Sequence, residues 1–115
     1  MMFKRKRYYN IAVDFDGVIS NGKWPEIGEP NKRLILWLNK QQIAGDKVIL
    51  WTCRGGDDLQ AAVEACIKWG LWPDAVNENI PDNVNHFGTD CRKVYAGLYI
   101  DDKAKRIVWK RRRRG

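Results

Sequence analysis

The stretch Tyr8–Phe15, YYNIAVDF, restricts the fold most strongly, because it is almost continuously apolar after Asn10. A strand with one face in water alternates apolar and polar residues. A strand covered on both faces instead shows a continuous apolar run, rich in β-branched and aromatic residues. Such strands are typical of parallel sheets that are covered by helices. The stretch therefore predicts the first, central strand of a parallel α/β sheet.

Helical patterns alternate with apolar runs along the next part of the chain. After Pro30, apolar residues recur at helical spacing, with Asn31 as the N-cap and Gly45 as the end of helix one. A second strand is predicted at Lys47–Thr52, followed by a helix that Asp57 caps. This second helix carries an apolar stripe at Leu59, Ala62, Val63, Cys66 and Ile67. The alternation predicts a three-layer, Rossmann-like parallel sheet with flanking helices.

The chain is less regular beyond Gly70. A short third strand is predicted at Ala75–Asn77, and a further strand at Gly97–Ile100. The polar stretch 78–91 between them has the composition of a loop. We expect the apolar patch Ile107–Trp109 to be able to pack as a final strand.

The length and the charge distribution describe one domain with two basic tails. With 115 residues, the chain is expected to form a single domain, 1–115. Of the net charge of +7, Lys4–Arg7 contribute four positive charges and Lys110–Arg114 contribute five. The basic excess therefore lies in tails at about 1–7 and 110–115. Such runs favour solubility or weak contact with nucleic acid and other polyanions, and specific nucleic-acid recognition remains an alternative.

The cysteines and the apolar runs indicate a cytoplasmic protein. Cys53, Cys66 and Cys91 are odd in number, widely spaced and without a C-x-x-C pair, so they predict reduced thiols. No apolar run approaches the roughly 20 residues that span a bilayer, and no signal-type segment follows the basic N-terminus. We therefore expect no membrane contact, and a homo-oligomer remains open.

Carboxylates end two of the predicted strands. Asp14 and Asp16 lie at the end of the first strand and point to the same side, and Asp101 and Asp102 follow a later strand. A single aspartate at a strand end is more often a helix cap or a turn residue. Four of them at one edge of a parallel sheet would repel one another unless a cation lay among them. Oxygen ligands of this kind are those that Mg²⁺ prefers, so the sequence predicts a magnesium site.

A phosphate site is predicted beside the carboxylates. Thr52 ends the second strand, and a glycine-bearing loop then opens the second helix. Backbone N–H groups at a helix N-terminus attract anions, and a hydroxyl adds a donor. Cys53 and Arg54 lie in this loop and are candidates for phosphate contact, although a solvated arginine is equally expected.

These motifs together resemble the haloacid dehalogenase (HAD) superfamily of phosphohydrolases. The sequence DFDGVI is similar to the first motif of that family, ILWT to its second motif, and YIDD to its acidic fourth motif. The third motif, a lysine, is matched by Lys93, with Lys103 or Lys105 as alternatives. The resemblance spans about residues 11–102, in the order found in the family, and implies a HAD-like core.

The resemblance implies a role for each matched residue. Asp14 would be the nucleophile that forms an aspartyl-phosphate, and Asp16 the general acid and base. Asp14, Asp16 through its backbone carbonyl, Asp101 and Asp102 would hold the magnesium ion. Thr52 and Lys93 would bind the phosphoryl oxygens.

The gaps between the motifs leave no room for the cap domain that family members commonly carry. A capless enzyme needs a large substrate, a neighbouring subunit or the loop 20–31 to cover its site. Trp24 in that loop could stack on a base or sugar, or simply pack. The substrate remains open among sugar phosphates, nucleotides, phosphoproteins and nucleic-acid ends. The alternatives are a nucleic-acid-binding protein or nucleic-acid end phosphatase and, more remotely, a receiver-like phosphoacceptor domain.

Overall fold

The computed structural model describes residues 6–105 and 107–109. A four-stranded parallel sheet has the order β3-β2-β1-β4. Its strands are Asn10–Val13 (β1), Lys47–Leu50 (β2), Ala75–Val76 (β3) and Leu98–Ile100 (β4), and the helices of the described residues are Lys32–Ile43 (α1), Gly56–Lys68 (α2) and Pro81–Phe87 (α3). The predicted parallel α/β fold is confirmed, and β1 is an interior strand.

Alternation along the central strands builds an apolar layer on each face of the sheet. Ile11 and Val13 of β1 join a large cluster with α1 and α2 on one face. Ala12 and Ile49 point to the other face, where Ile80 and Val94 cover them. Both faces of β1 are therefore buried, which explains the continuous apolar run.

Helix α1 begins and ends where its sequence signals predict. The Asn31 side chain accepts a hydrogen bond from the Leu34 N–H at 3.1 Å, which caps the first turn. Gly45, just beyond the C-cap Ala44, has a φ of +105°. A residue without a Cβ adopts this conformation at little cost, so the chain can turn into β2 here.

The predicted cap of α2 is wrong by two residues. Gly55, rather than Asp57, occupies the N-cap position, and no side chain caps the helix. Asp57 lies in the first helical turn, where its charge complements the helix dipole. Of the predicted stripe, Ala62 and Cys66 are fully buried.

Helix α3 was missed, because the segment 78–91 was predicted to be a loop. Pro81 occupies the first turn of this helix and Gly88 ends it in a left-handed conformation, with a φ of +73°. Proline at the start and glycine at the end are helix signals. The short, polar segment buries none of its own residues, so it lacks the apolar periodicity on which the prediction relied.

The terminal segments differ from expectation in two ways. Ile107–Trp109 form no strand and are exposed, so the predicted final strand is wrong. Arg7, expected in a solvated tail, forms an ion pair with the buried Asp46 at 2.7 Å. Residues 1–5 and 110–115, which contain most of the basic tails, lie outside the described residues.

Candidate functional site

Three carboxylates meet at the carboxyl edge of the sheet. Asp14 directly follows β1, and Asp101 and Asp102 directly follow β4. Each offers an oxygen atom, and these atoms lie within 4.8 Å of one another. The strand ends are held together because the Asp14 N–H donates to the Ile100 carbonyl at 3.0 Å. We call these three residues the acidic cluster. Its oxygen donors match the ligands that a hard cation such as Mg²⁺ takes.

The electrostatics of Asp14 disfavour its charged form. Partial burial raises the pKa of this carboxyl most strongly, and the negative charges of Asp101, Asp102 and Asp16 raise it further. A hydrogen bond from the Phe15 N–H to Asp14 Oδ1, at 2.7 Å, opposes these effects without cancelling them. A cation among the carboxylates would remove the repulsion.

Gly17 allows Asp102 to approach the first motif. Gly17 has a φ of +78°, and a Cβ atom built on it would lie 2.6 Å from Asp102 Oδ2. An alanine here would be strained in its backbone and would also collide with the carboxylate. The close approach of Asp102 therefore explains why position 17 is a glycine, which the order of the sequence motifs alone does not explain.

The Asp16 carboxylate forms an ion pair with Arg54 and is not part of the acidic cluster. The Arg54 guanidinium donates from Nε to Asp16 Oδ2 at 2.9 Å and from Nη2 to Asp16 Oδ1 at 2.7 Å. This is the two-pronged geometry that suits guanidinium and carboxylate. The expected contribution of Asp16 to a metal site, through its backbone carbonyl, stays a prediction.

Arg54 also fastens the loop 21–30 to the site. Its side chain is only 2% exposed, and its Nη atoms donate to the carbonyls of Pro25 at 3.3 Å and Glu26 at 2.5 Å. A further contact reaches the Asp58 carbonyl at 3.5 Å. The hydrogen bond to Asp16 raises the pKa of Arg54, so the side chain stays charged. All three guanidinium nitrogens thus have protein partners, and the phosphate contact expected of Arg54 stays a prediction.

Thr52 lies at the start of the loop that leads into α2. Its N–H donates to Asn77 Oδ1 at 2.8 Å, and its Oγ1 accepts from the Arg54 N–H at 3.2 Å. Asn77 follows β3 and is not among the site residues predicted from the sequence. Its left-handed φ of 52° and its bond to Thr52 make it a support for the carboxyl edge. Cys53, the next residue of this loop, is exposed as a free thiol.

The candidate phosphate-binding lysines have no ion pair with the acidic cluster within the described residues. The Lys93 ammonium lies 5.4 Å from the centre of the Tyr99 ring, a cation–π contact. Lys103 contributes its backbone N–H, which donates to Asp101 Oδ1 at 2.9 Å. Lys103 and Lys105 are exposed. The assignment of one of them to the phosphate therefore stays a prediction.

The fold and the acidic cluster define a parallel α/β domain with a candidate metal centre at its carboxyl edge. A solved structure of a conserved protein from Bacteroides thetaiotaomicron is 37% identical to this chain, with a TM-score of 0.73. The match covers 86% of this chain and 78% of that one. The chain therefore belongs to the same family as this Bacteroides protein. No protein-family model and no curated protein matches the chain.

None of the helices in the described part of the chain has the length and apolar character needed to cross a bilayer.

Proposed function

We propose that this protein is a magnesium-dependent phosphohydrolase of the HAD type, without a cap domain, that cleaves a phosphomonoester. The observation that carries the proposal is the acidic cluster, in which Asp14, Asp101 and Asp102 offer oxygens within 4.8 Å of one another. A cation among these carboxylates would relieve the repulsion between like charges, and carboxylate oxygens suit Mg²⁺. The ordered motifs DFDG, WT and YIDD support the same reading.

In this proposal Asp14 is the nucleophile, and Asp16 is the general acid and base. An oxygen of Asp14 attacks phosphorus, a new O–P bond forms, and the bond to the leaving oxygen breaks as Asp16 gives that oxygen a proton. Asp16 then takes a proton from water, whose oxygen attacks the aspartyl-phosphate. Inorganic phosphate leaves and the Asp14 carboxylate is restored. Arg54 holds Asp16 by paired hydrogen bonds at 2.7 and 2.9 Å to its two oxygens. Asp16 must therefore take up a proton from solvent, and release one of these hydrogen bonds, before it can protonate the leaving oxygen.

The remaining residues would bind the phosphoryl group and its charge. Bound magnesium, held by Asp14, Asp101 and Asp102, would neutralise negative charge on the carboxylates and on the phosphoryl oxygens. Thr52 would donate its hydroxyl to a phosphoryl oxygen, and Lys93 would add a positive charge. The basic tails would add weak, nonspecific attraction for polyanionic substrates.

The test is phosphate release from a broad panel of phosphomonoesters, with magnesium or with a chelator. Wild-type turnover is expected to require magnesium, and Asp14→Asn is expected to lose at least about a thousandfold of it. Asp82→Asn, which changes an exposed aspartate of α3, is the matched control and should retain turnover. Turnover that survives the chelator, or an Asp14→Asn variant as active as the wild type, would contradict the proposal.

A further inference from the structure

A small cleft adjoins the acidic cluster on the side of Asp16. Its lining residues are Asp16, Trp24, Cys53 and Arg54, and its volume is about 160 Å³. A cavity of about 150 Å³ is large enough to accommodate a benzene ring. Because Asp16 is the proposed proton donor to the leaving oxygen, an occupant of this cleft lies on the leaving-group side of the phosphate.

Trp24 is an exposed aromatic residue held in a fixed place. The residue is 62% exposed, yet its indole N–H donates to Asp58 Oδ2 of α2 at 2.8 Å. The loop that carries it is fastened by Arg54, which binds the carbonyls of Pro25 and Glu26. An exposed, oriented ring costs little to organise when a ligand stacks on it.

Further hydrogen bonds across the base of the loop add to this anchoring. The Ser20 hydroxyl donates to the Ile27 carbonyl and accepts from the Gly22 N–H. Asn21 bonds Glu29 twice, through its backbone N–H at 3.0 Å and through its side-chain oxygen at 2.8 Å. Trp24 therefore projects from a braced turn.

The charges of the cleft select against a second anionic group on the leaving group. The positive charge of the Arg54 guanidinium is paired with Asp16, and its remaining hydrogen bonds go to backbone carbonyls. Asp58 adds a carboxylate behind the indole. Among the residues that the structure describes, no other charged side chain lines the cleft. Neutral leaving groups are thus favoured over those that carry further phosphates or carboxylates.

The geometry points to a leaving-group subsite in which Trp24 stacks against a neutral, planar ring of the substrate. This inference rests on the proposed phosphohydrolase function and names its substrate class: phosphomonoesters of alcohols that carry an aromatic or heteroaromatic ring close to the ester oxygen. The face of the substrate ring would stack on the indole of Trp24, and the edge of the substrate ring would point toward Asp16 and Cys53.

The test uses benzyl phosphate and cyclohexylmethyl phosphate, which have similar leaving oxygens but differ in ring planarity. The wild type with magnesium is expected to show a kcat/KM about tenfold higher for benzyl phosphate. Trp24→Leu should lower the benzyl value to that of the cyclohexyl ester, and Trp24→Phe should keep most of the preference. Trp72→Leu, which changes a 67% exposed tryptophan before β3, is the control and should leave both values unchanged.

A binding measurement separates failure of this inference from failure of the proposed function. The indole N–H signal of Trp24, assigned with the Trp24→Phe variant, is followed by NMR in full-length Asp14→Asn protein with magnesium. Benzyl phosphate is expected to shift it, and cyclohexylmethyl phosphate to shift it far less. Hydrolysis of both esters at equal rates overturns the subsite and leaves the phosphohydrolase standing. If the protein hydrolyses no phosphomonoester, the proposed function is overturned. If benzyl phosphate also leaves the indole signal of Trp24 unmoved, the subsite is overturned as well.

Discussion

Aspartates at the two edges of the sheet have opposite surroundings. At the amino edge, Asp46 is 2% exposed and accepts hydrogen bonds from Arg7 at 2.7 Å, the Tyr9 N–H at 2.9 Å and Gln41 at 2.8 Å. At the carboxyl edge, Asp14 accepts only one hydrogen bond in the described residues, from the Phe15 N–H, and lies among other carboxylates.

The pKa values follow this difference. Burial alone raises the pKa of Asp46, but hydrogen bonds from Arg7, from the Tyr8 and Tyr9 amides and from Gln41 outweigh it, so the net pKa is lowered. The pKa of Asp14 is raised. A carboxylate whose charge the protein itself satisfies contributes to stability, whereas one left among like charges is suited to bind a ligand.

The largest expected effect is on stability when the satisfied carboxylate is changed. Asp46→Asn places amide hydrogens against the donors of Arg7 or Gln41 and removes the charge that pairs with Arg7. The free energy of unfolding is expected to fall by about 3 kcal/mol. Asp14→Asn should instead stabilise the protein by up to about 1 kcal/mol in chelator, because it relieves repulsion. Urea unfolding measures both, and equal losses in the two variants would refute the contrast.

The next effect comes from Gly17, which brings Asp102 to the acidic cluster. Gly17→Ala is expected to cost about 2 kcal/mol of unfolding free energy, from its left-handed backbone and from contact with Asp102. Gly88→Ala is the matched control, because its φ of +73° is similar but its Cβ would meet nothing within 4 Å. It should cost about 1 kcal/mol.

Only Gly17→Ala should also weaken magnesium binding, measured by calorimetric titration. A Gly88→Ala variant with the same loss of magnesium affinity would show that backbone strain alone, rather than the position of Asp102, accounts for the effect.

A smaller effect is expected from the metal itself. At a magnesium concentration about tenfold above Kd, the wild type should gain about 1.4 kcal/mol of unfolding free energy. Asp101→Asn should show higher stability than the wild type in chelator and a smaller gain with magnesium, because it removes both repulsion and a ligand. Asp82→Asn should behave as the wild type does. Equal gains in all three proteins would mean that magnesium does not bind at the acidic cluster.

The carboxyl-edge half of this contrast could be predicted from the sequence, because its signals are local. The carboxyl ends of parallel strands meet at one edge, so the apolar runs before Asp14 and Asp101 were enough to predict that these side chains gather. Helix α1 followed from its own cap and periodicity. Helix α3 did not, because a short polar helix lacks apolar periodicity and has the composition of a loop.

The partners of the charged side chains were beyond prediction for a different reason. Arg54 and Asp16 are 38 residues apart, and their pairing depends on how the loop 21–30 packs above them. Arg7 and Asp46 are 39 residues apart, and their pairing turned a residue of an expected solvated tail into part of the fold. Such ion pairs form between residues that are distant in sequence, and tertiary packing decides which charged residues pair. No local sequence pattern predicts them.

The pH dependence gives the finest separation of the two edges. A folded-state pKa below the reference value of 3.8 means that the contribution of Asp46 is complete above that value. It is lost as the pH falls through the lower, folded pKa. The raised pKa of Asp14 means the reverse: its ionisation destabilises the fold at neutral pH, and protonation relieves this as the pH falls toward 3.8.

Unfolding in chelator, followed from about pH 6 to about pH 3, should therefore show two separate windows. As the pH falls, the difference in stability between Asp14→Asn and the wild type should shrink while the pH is still above 3.8. The difference between Asp46→Asn and the wild type should shrink only below pH 3.8. If both differences shrank in the same window, the two carboxylates would share one kind of environment, and the acidic cluster would lose its electrostatic argument for a bound cation.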